Sequence, residues 1–132
     1  MPGESAVKQE LEYGVVLLNE PDPGVRDALT ILLRGANWSV VHVTTCEDAA
    51  EAMKADGITA VISEARLPDC TPEKILERCM QAGVPVVFTG HDLTLQEAVD
   101  LIRKGALDFL DKPFPQSRLL DLLDELKNSE NT

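Results

Sequence analysis

The sequence predicts an α/β fold: a (βα)5 doubly wound, five-stranded parallel sheet in a flavodoxin-like three-layer sandwich. Two observations carry this prediction. Short apolar runs without polar alternation recur along the chain, as expected for parallel strands that are buried on both faces. Between these runs lie segments whose apolar residues repeat with the 3.6-residue period of an amphipathic helix. Right-handed crossovers between parallel strands then place helices on both faces of the sheet.

Five predicted strands and five predicted helices alternate strictly along the chain. Helix starts are indicated by capping-box spacing and by a threonine before a proline, and helix ends by glycines that suit a left-handed cap. The strands are expected at residues 15–18, 40–43, 58–62, 84–88 and 109–110, the helical stripes at 25–33, 46–53, 75–80, 95–102 and 119–126. The start signals are Thr45 with Asp48, Thr71 with Pro72, and Thr94 with Glu97, and the stop signals are Gly35, Gly57, Gly83 and Gly105.

Length and composition indicate one ordinary globular domain. The chain has 132 residues, of which 44% are hydrophobic and 27% charged, so there is room for one compact unit. Residues 1–13 have no sustained period and are expected to form a flexible polar arm. The folded domain is expected over residues 14–127, and residues 128–132 are expected to be a polar tail or the start of a linker.

The charge balance excludes several classes of function. Twelve basic and 23 acidic residues give a net charge of −11, which repels nucleic acid phosphates and anionic membrane surfaces. No apolar run approaches the roughly 20 residues that a membrane span needs, so a cytoplasmic protein is expected. The three cysteines form no CxxC pair, and the two histidines have no ligand partners at useful spacing, so neither a disulfide framework nor a zinc site is expected.

Polar side chains follow four of the five predicted strands. In a doubly wound sheet these carboxyl ends meet at one edge, where the ligand site is expected. Carboxylates, a hydroxyl and an ammonium therefore converge there, whereas no glycine-rich loop follows the first strand to cradle a nucleotide phosphate. The residues are Glu20 and Asp22 after the first strand, Glu64 after the third, Thr89 after the fourth and Lys112 after the fifth.

Four segments at these strand ends resemble the CheY-like receiver domains of bacterial two-component response regulators, and the match extends over residues 15–127. This resemblance implies a signalling module, not an enzyme, in which an aspartate after the third strand takes a phosphoryl group from a histidine kinase with the help of Mg²⁺. It also implies a cis peptide bond between Lys112 and Pro113. The segments are VVLLNEPDPGVRDAL, AVISEARLP, VVFTG and GALDFLDKPF.

The chain departs from the family pattern at two places. Alignment on the third strand puts Glu64 at the phosphoacceptor position. Alignment without gaps after the first strand puts Glu20 and Pro21 on the metal-binding acidic pair, whereas a shift of one residue puts Asn19 and Glu20 there, with Asp22 as a further candidate. The remaining matches imply a pocket of Glu20, Asp22, Glu64, Thr89 and Lys112, and a conformational switch of Thr89 and Phe109.

These departures predict an atypical receiver, or pseudo-receiver, in which phosphorylation is lost or marginal and no metal cofactor is bound. Glutamate is one methylene longer than aspartate, and a misplacement of about 1 Å can cost about a hundredfold in rate. We expect Glu64 to pair with Lys112 and to imitate the phosphorylated state in part. The alternative is a working phosphoacceptor that binds Mg²⁺ through Glu20, Asp22 and Glu64. A third possibility is a small ligand in the vacated pocket.

The resemblance also implies where partners bind. In the family, the surface of the fourth helix, fifth strand and fifth helix is the usual partner and dimerisation face. We therefore expect this domain to contact a protein partner, an attached output domain or a second copy through that face, and a histidine kinase if the alternative holds.

Overall fold

The structure of the protein is a computed structural model that describes residues 14–55 and 57–131, with side chains to residue 127. The expected N-terminal arm over residues 1–13 lies outside the described residues. The side chains of residues 128–132, expected to be a tail or linker, lie outside them as well.

Five parallel strands form one sheet in the order β2-β1-β3-β4-β5. Because β1 is flanked by β2 and β3, the strand order reverses at β1, as the doubly wound pattern requires. The strands are β1 (Gly14–Asn19), β2 (Trp38–Val43), β3 (Ile58–Glu64), β4 (Val86–Gly90) and β5 (Asp108–Asp111).

Each strand is followed by one helix, so the predicted five-strand, five-helix alternation is confirmed. Side-chain oxygens cap the first four helices at their N-termini, where the leading N–H groups have no partner within the helix. None of the helices in the described ranges is long and apolar enough to cross a membrane. The helices are α1 (Pro23–Gly35), α2 (Cys46–Met53), α3 (Pro72–Ala82), α4 (Leu95–Arg103) and α5 (Gln116–Asn131).

The sheet separates two hydrophobic cores, which makes the fold a three-layer sandwich. One core joins alternate strand residues such as Leu17, Val61 and Phe88 to the buried faces of α2, α3 and α4. The other joins the intervening strand residues, such as Val16 and Ile62, to the buried faces of α1 and α5. Both faces of the central strands are thus buried, which explains why these strands are apolar along their length.

Three local expectations need correction. Gly35 is still helical, and the positive φ after α1 is at Asn37 (73°), because asparagine tolerates the left-handed region better than other non-glycine residues. The Thr45 side chain caps α2, but the reciprocal capping box is formed only by Thr94 and Glu97 among the described helices. Strand β2 begins two residues before its predicted start, because Trp38 is buried in the core below α1.

Glycine is required at position 105 and replaceable at position 35. Gly105 has a φ of +124°, and an added Cβ would lie 2.9 Å from Met80 Sδ, whereas a Cβ on Gly35 would meet nothing within 4 Å. We expect Gly105→Ala to lower the free energy of unfolding by about 1–3 kcal/mol, and Gly35→Ala to raise it by up to about 1 kcal/mol. Urea denaturation of both variants tests this, and a stabilised Gly105→Ala would contradict it.

Candidate functional site

The polar residues at or directly after the strand ends come together at the carboxyl edge of the sheet. Glu64, the last residue of β3, lies opposite Thr89 of β4 in the strand register. Glu20 directly follows β1, and Lys112 directly follows β5. The Lys112 backbone N–H donates to the carbonyl of Gly90 (2.6 Å), and the Lys112–Pro113 peptide bond is cis, as the resemblance implies.

A buried ion triad occupies the centre of this edge. Lys112 Nζ donates to Glu20 Oε1 (2.6 Å) and to Glu64 Oε2 (2.5 Å). The side chains of Glu20 and Glu64 are only 3% and 10% exposed, and that of Lys112 is 17% exposed. Two carboxylates and one ammonium leave one net negative charge in a region with little access to water. The predicted contact between Glu64 and Lys112 is present, and Glu20 completes it.

The surroundings of Lys112 stabilise its charged form. Burial lowers the pKa of the ammonium, but hydrogen bonds and charge attraction from Glu20 and Glu64 outweigh burial, so the pKa is raised above its ordinary value. Lys112 therefore stays protonated throughout the physiological range and acts as a permanent cation between the two carboxylates.

The two carboxylates are held in place by the chain around them. Glu20 Oε2 accepts the backbone N–H of Asp22 (3.1 Å), and the main-chain carbonyl of Glu20 accepts Arg26 Nη1 (3.0 Å). On the other side, the carbonyl of Glu64 accepts the Ser63 hydroxyl (3.0 Å). These hydrogen bonds fix the backbone of Glu20 and Glu64, from which both carboxylates extend to Lys112.

Asp22 has a different role from the one predicted. Its Oδ1 accepts the backbone N–H groups of Gly24 (2.9 Å) and Val25 (3.2 Å) as the N-cap of α1. The residue is exposed, and Lys112 makes its two ion pairs with Glu20 and Glu64. The free N–H groups at the start of a helix attract a carboxylate more effectively than a lysine that already has two partners.

Thr89 and Phe109 lie close to the triad without bonding to its carboxylates. Thr89 is 1% exposed, and within the described ranges no hydrogen bond joins its hydroxyl to Glu64. Gly90 separates Glu64 from Phe109: a Cβ built on Gly90 would lie 3.4 Å from both Glu64 Oε1 and Phe109 Cε2. Gly90 therefore lies between the Glu64 carboxylate and the half-buried ring of Phe109, within van der Waals range of both.

Sequence reasoning missed Gly90 and Arg66 and underrated Asn19. Asn19 is fully buried, donates from Nδ2 to the carbonyl of Thr45 (3.0 Å), and leaves Oδ1 without a partner. Asn19 and Glu20 are both buried at the end of β1, whereas Pro21 is only half-buried, so the geometry favours the register that pairs Asn19 with Glu20. The end of the first predicted strand could have identified this register, because an alignment counted from the strand pairs Asn19 with Glu20, whereas one counted from α1 pairs Glu20 with Pro21.

Arg66, two residues after Glu64, links the β3–α3 loop to the start of α4. Its Nε binds Asp92 Oδ1 (2.8 Å) and its Nη2 binds Glu97 Oε2 (3.3 Å). The other oxygen of Glu97 accepts the Thr94 N–H in the capping box. All three charged side chains are at least 42% exposed, so this network contributes modestly to stability.

The residues present do not fit a magnesium site in this arrangement. Mg²⁺ requires near-octahedral oxygen ligands, but the facing oxygens of Glu20 and Glu64 already bind the Lys112 ammonium. Asp22, the third expected ligand, caps α1. Across the described ranges, no group of three or more His, Cys, Asp or Glu residues is placed to hold a metal ion.

Removing the ammonium should leave two buried carboxylates facing each other. We expect Lys112→Met to lower the free energy of unfolding by about 3 kcal/mol at neutral pH. Because the pKa of Lys112 is higher in the folded state, its stabilising effect is complete below the ordinary value of 10.5 and is lost as pH rises through the raised pKa. The gap between variant and wild type should therefore narrow in strong alkali.

Denaturation curves between pH 7 and pH 11 measure this gap. Lys54→Met is the matched control, because Lys54 forms an ion pair with Glu51 on the open surface, where both side chains are more than 70% exposed. Equal losses in the two variants at every pH would contradict the stabilising role of the triad.

The sequence of this chain is similar to those of known bacterial regulatory proteins. FixJ, a transcriptional regulatory protein of Bradyrhizobium diazoefficiens, is 30% identical over 115 residues that cover 84% of this chain and 55% of FixJ. DctD, a C4-dicarboxylate transport transcriptional regulatory protein of Pseudomonas aeruginosa, is 37% identical over 110 residues, 80% of this chain and 23% of DctD. This chain thus spans about half of FixJ and about a quarter of DctD.

A solved structure of full-length FixJ from B. japonicum matches with a TM-score of 0.80 at 25% identity, covering 89% of this chain and 59% of that chain. The family model described as the response regulator receiver domain matches residues 16–124, which include every residue of the ion triad. The chain therefore belongs to the receiver domain family of two-component response regulators.

Proposed function

We propose that this receiver domain is a pseudo-receiver: a non-enzymatic module of two-component signalling that acts by protein contacts, with phosphorylation lost or marginal. The observation that carries the proposal is the position of the Lys112 ammonium, held at 2.6 Å and 2.5 Å between Glu20 and Glu64. The chemistry of phosphoryl transfer needs those same oxygens for other tasks.

Phosphoryl transfer depends on in-line attack by a free carboxylate oxygen and on a cation that neutralises the transferred group. Oε2 of Glu64 is hydrogen bonded to Lys112, and Gly90 lies between the Glu64 carboxylate and the Phe109 ring. The longer glutamate side chain therefore reaches into the space that a phosphoryl group on a shorter aspartate would need. An attacking oxygen in that position is both misplaced and already paired.

The triad supports a permanent, partial imitation of the phosphorylated state. A phosphorylated residue carries about two negative charges and three acceptor oxygens, whereas Glu64 offers one charge and two oxygens. Lys112 is engaged as it would be by an acidic ligand, but no hydrogen bond joins Glu64 to Thr89 within the described ranges. The imitation therefore includes the contact with Lys112 but not one with the Thr89 hydroxyl.

The output face proposed for this domain is formed by α4, β5 and α5. Large apolar side chains are exposed on and beside α4: Leu95 (82%), Ile102 (43%) and Leu107 (39%). Exposed apolar groups rimmed by charges suit a protein partner. Since FixJ and DctD are longer than this chain, we propose an attached output domain or a second copy as the partner, in the cytoplasm and without contact to nucleic acid or membrane by this domain.

A working phosphoacceptor that uses Mg²⁺ is the second candidate. One observation favours it: Oδ1 of Asn19 is fully buried without a partner beside Glu20. An oxygen of this kind is normally satisfied by an ordered water or an ion. In this reading Lys112 would have to release at least one carboxylate before a cation could bind.

An amide NMR titration with Mg²⁺ and then beryllofluoride, a phosphoryl mimic, separates the two candidates. The pseudo-receiver predicts no saturable shifts at Glu20, Glu64 or Lys112 at millimolar Mg²⁺, because the ammonium occupies the facing oxygens. Saturable shifts that extend to Phe109 would overturn the proposal and establish the second candidate.

A matched pair of variants locates the cause. Glu64→Asp restores the shorter carboxylate but not the acidic pair, so it should remain unresponsive to Mg²⁺. The double variant Asn19→Asp/Glu64→Asp restores a carboxylate on both β1 and β3 and should show saturable shifts, because hard oxygen ligands then converge from two strands. A response from Glu64→Asp alone would assign the whole defect to the length of one side chain.

A further inference from the structure

All three cysteines, although far apart in sequence, contribute to one region of the core between α2 and α3. Cys46 is the first residue of α2, Cys70 lies in the β3–α3 loop, and Cys79 lies in α3. All three are free thiols. Cys46 (6% exposed) and Cys79 (fully buried) belong to the same hydrophobic cluster, and the half-buried Cys70 packs against it.

Asp69 anchors the residue next to Cys70 directly onto the backbone of Cys46. Its Oδ1 accepts the N–H of Cys46 (2.8 Å), and its Oδ2 accepts the N–H of Glu47 (3.1 Å). These bonds cap the start of α2 from a different loop. They hold the β3–α3 loop against residue 46, so Cys46 and Cys70 are kept close by contacts that do not involve sulfur.

Cys46 and Cys70 also share access to solvent, whereas Cys79 does not take part. The two side chains line one cavity of about 430 Å³ between α2 and α3. Three basic and three acidic side chains line the same cavity, so neither charge is in excess there: Lys54, Lys74 and Arg78, and Glu47, Glu51 and Asp69.

We propose that Cys46 and Cys70 are a redox pair, which closes to an intramolecular disulfide by exchange with a low-molecular-weight peptide disulfide such as oxidised glutathione. The Cys70 thiolate attacks the reagent, forms a mixed disulfide and releases one reduced thiol. The Cys46 thiolate then attacks the Cys70 sulfur, forms the internal disulfide and releases the second reduced thiol. Both protein protons end on the two released thiols, so the protein loses two electrons and the reagent gains two.

The environment of Cys70 slows thiol–disulfide exchange but favours the disulfide at equilibrium. Burial, with the neighbouring Cys46 thiol and the Asp69 charge, raises the pKa of Cys70 to about 12 against a smaller lowering by Arg78. Little thiolate is present at neutral pH, so exchange is slow. The reduced state gains no stability from a thiolate either, which favours the closed disulfide once it has formed.

Closure would tie the β3–α3 loop, which begins directly after Glu64, to the start of α2. Cross-linking two residues that are far apart in sequence stabilises a fold mainly by restricting the unfolded chain. The expected consequence is a more stable domain in which the loop beyond the ion triad is fixed. The inference is independent of whether the triad accepts a phosphoryl group.

The test uses the full chain incubated with oxidised glutathione, followed by thiol counting, intact mass and peptide mapping. Wild type should lose two thiols and two hydrogens in mass, with Cys46 and Cys70 in one cross-linked peptide pair, and its Tm should rise by on the order of 10 °C. Cys79→Ala is the matched control and should behave in the same way. Reduction with a dithiol should restore the original Tm.

The single variants separate the two steps. Cys46→Ser should stop at one glutathione on Cys70, and Cys70→Val, which keeps the apolar packing, should lose no thiol in the native state. A wild type that retains bound glutathione, forms a disulfide through Cys79, or reacts only after denaturation would overturn the proposal. Circular dichroism of each variant before treatment confirms that a negative result comes from a folded protein.

Discussion

The structure of the candidate site depends on one requirement: two buried carboxylates need a cation. Glu20 and Glu64 come from different strands and are nearly inaccessible to water, so each would be costly to bury as a charge without a partner. Lys112 supplies the cation from a third strand and joins the ends of β1, β3 and β5. The same contact that stabilises the sheet edge thereby occupies one oxygen of each carboxylate.

The elements around this internal cation also connect the carboxyl edge of the sheet to the surface proposed for partners. Gly90 lies between Glu64 and Phe109, and Phe109 lies on β5, within the surface proposed for partners. Arg66 makes a second link, from the β3–α3 loop to the capped start of α4. Glu64 is thus next to β5 across Gly90, and the loop that follows it is joined to α4 by Arg66.

Loop carboxylates have structural roles that resemble functional ones in sequence. Asp22 and Asp69 both lie in loops that follow strands of the sheet. Each accepts N–H groups at the start of a helix, Asp22 at the start of α1 and Asp69 at the start of α2. The pKa of Asp69 is lowered by these backbone hydrogen bonds, which identifies a carboxylate used for capping. Such carboxylates count as acidic residues in a motif, although helix N–H groups already bind one or both of their oxygens.

The amino-acid sequence predicts the fold class, the order of strands and helices, and the convergence of Glu20, Glu64, Thr89 and Lys112, because apolar periodicity and parallel-strand topology are properties of local sequence and connectivity. It could not decide how these side chains divide their hydrogen bonds. Only the tertiary structure assigned Asp22 to a helix cap, placed both carboxylates on one ammonium, left Asn19 Oδ1 unpaired and brought Cys70 against Cys46. These hydrogen-bond partners are decided by small differences in distance between side chains that lie up to 92 positions apart in the sequence. No local sequence pattern encodes such differences.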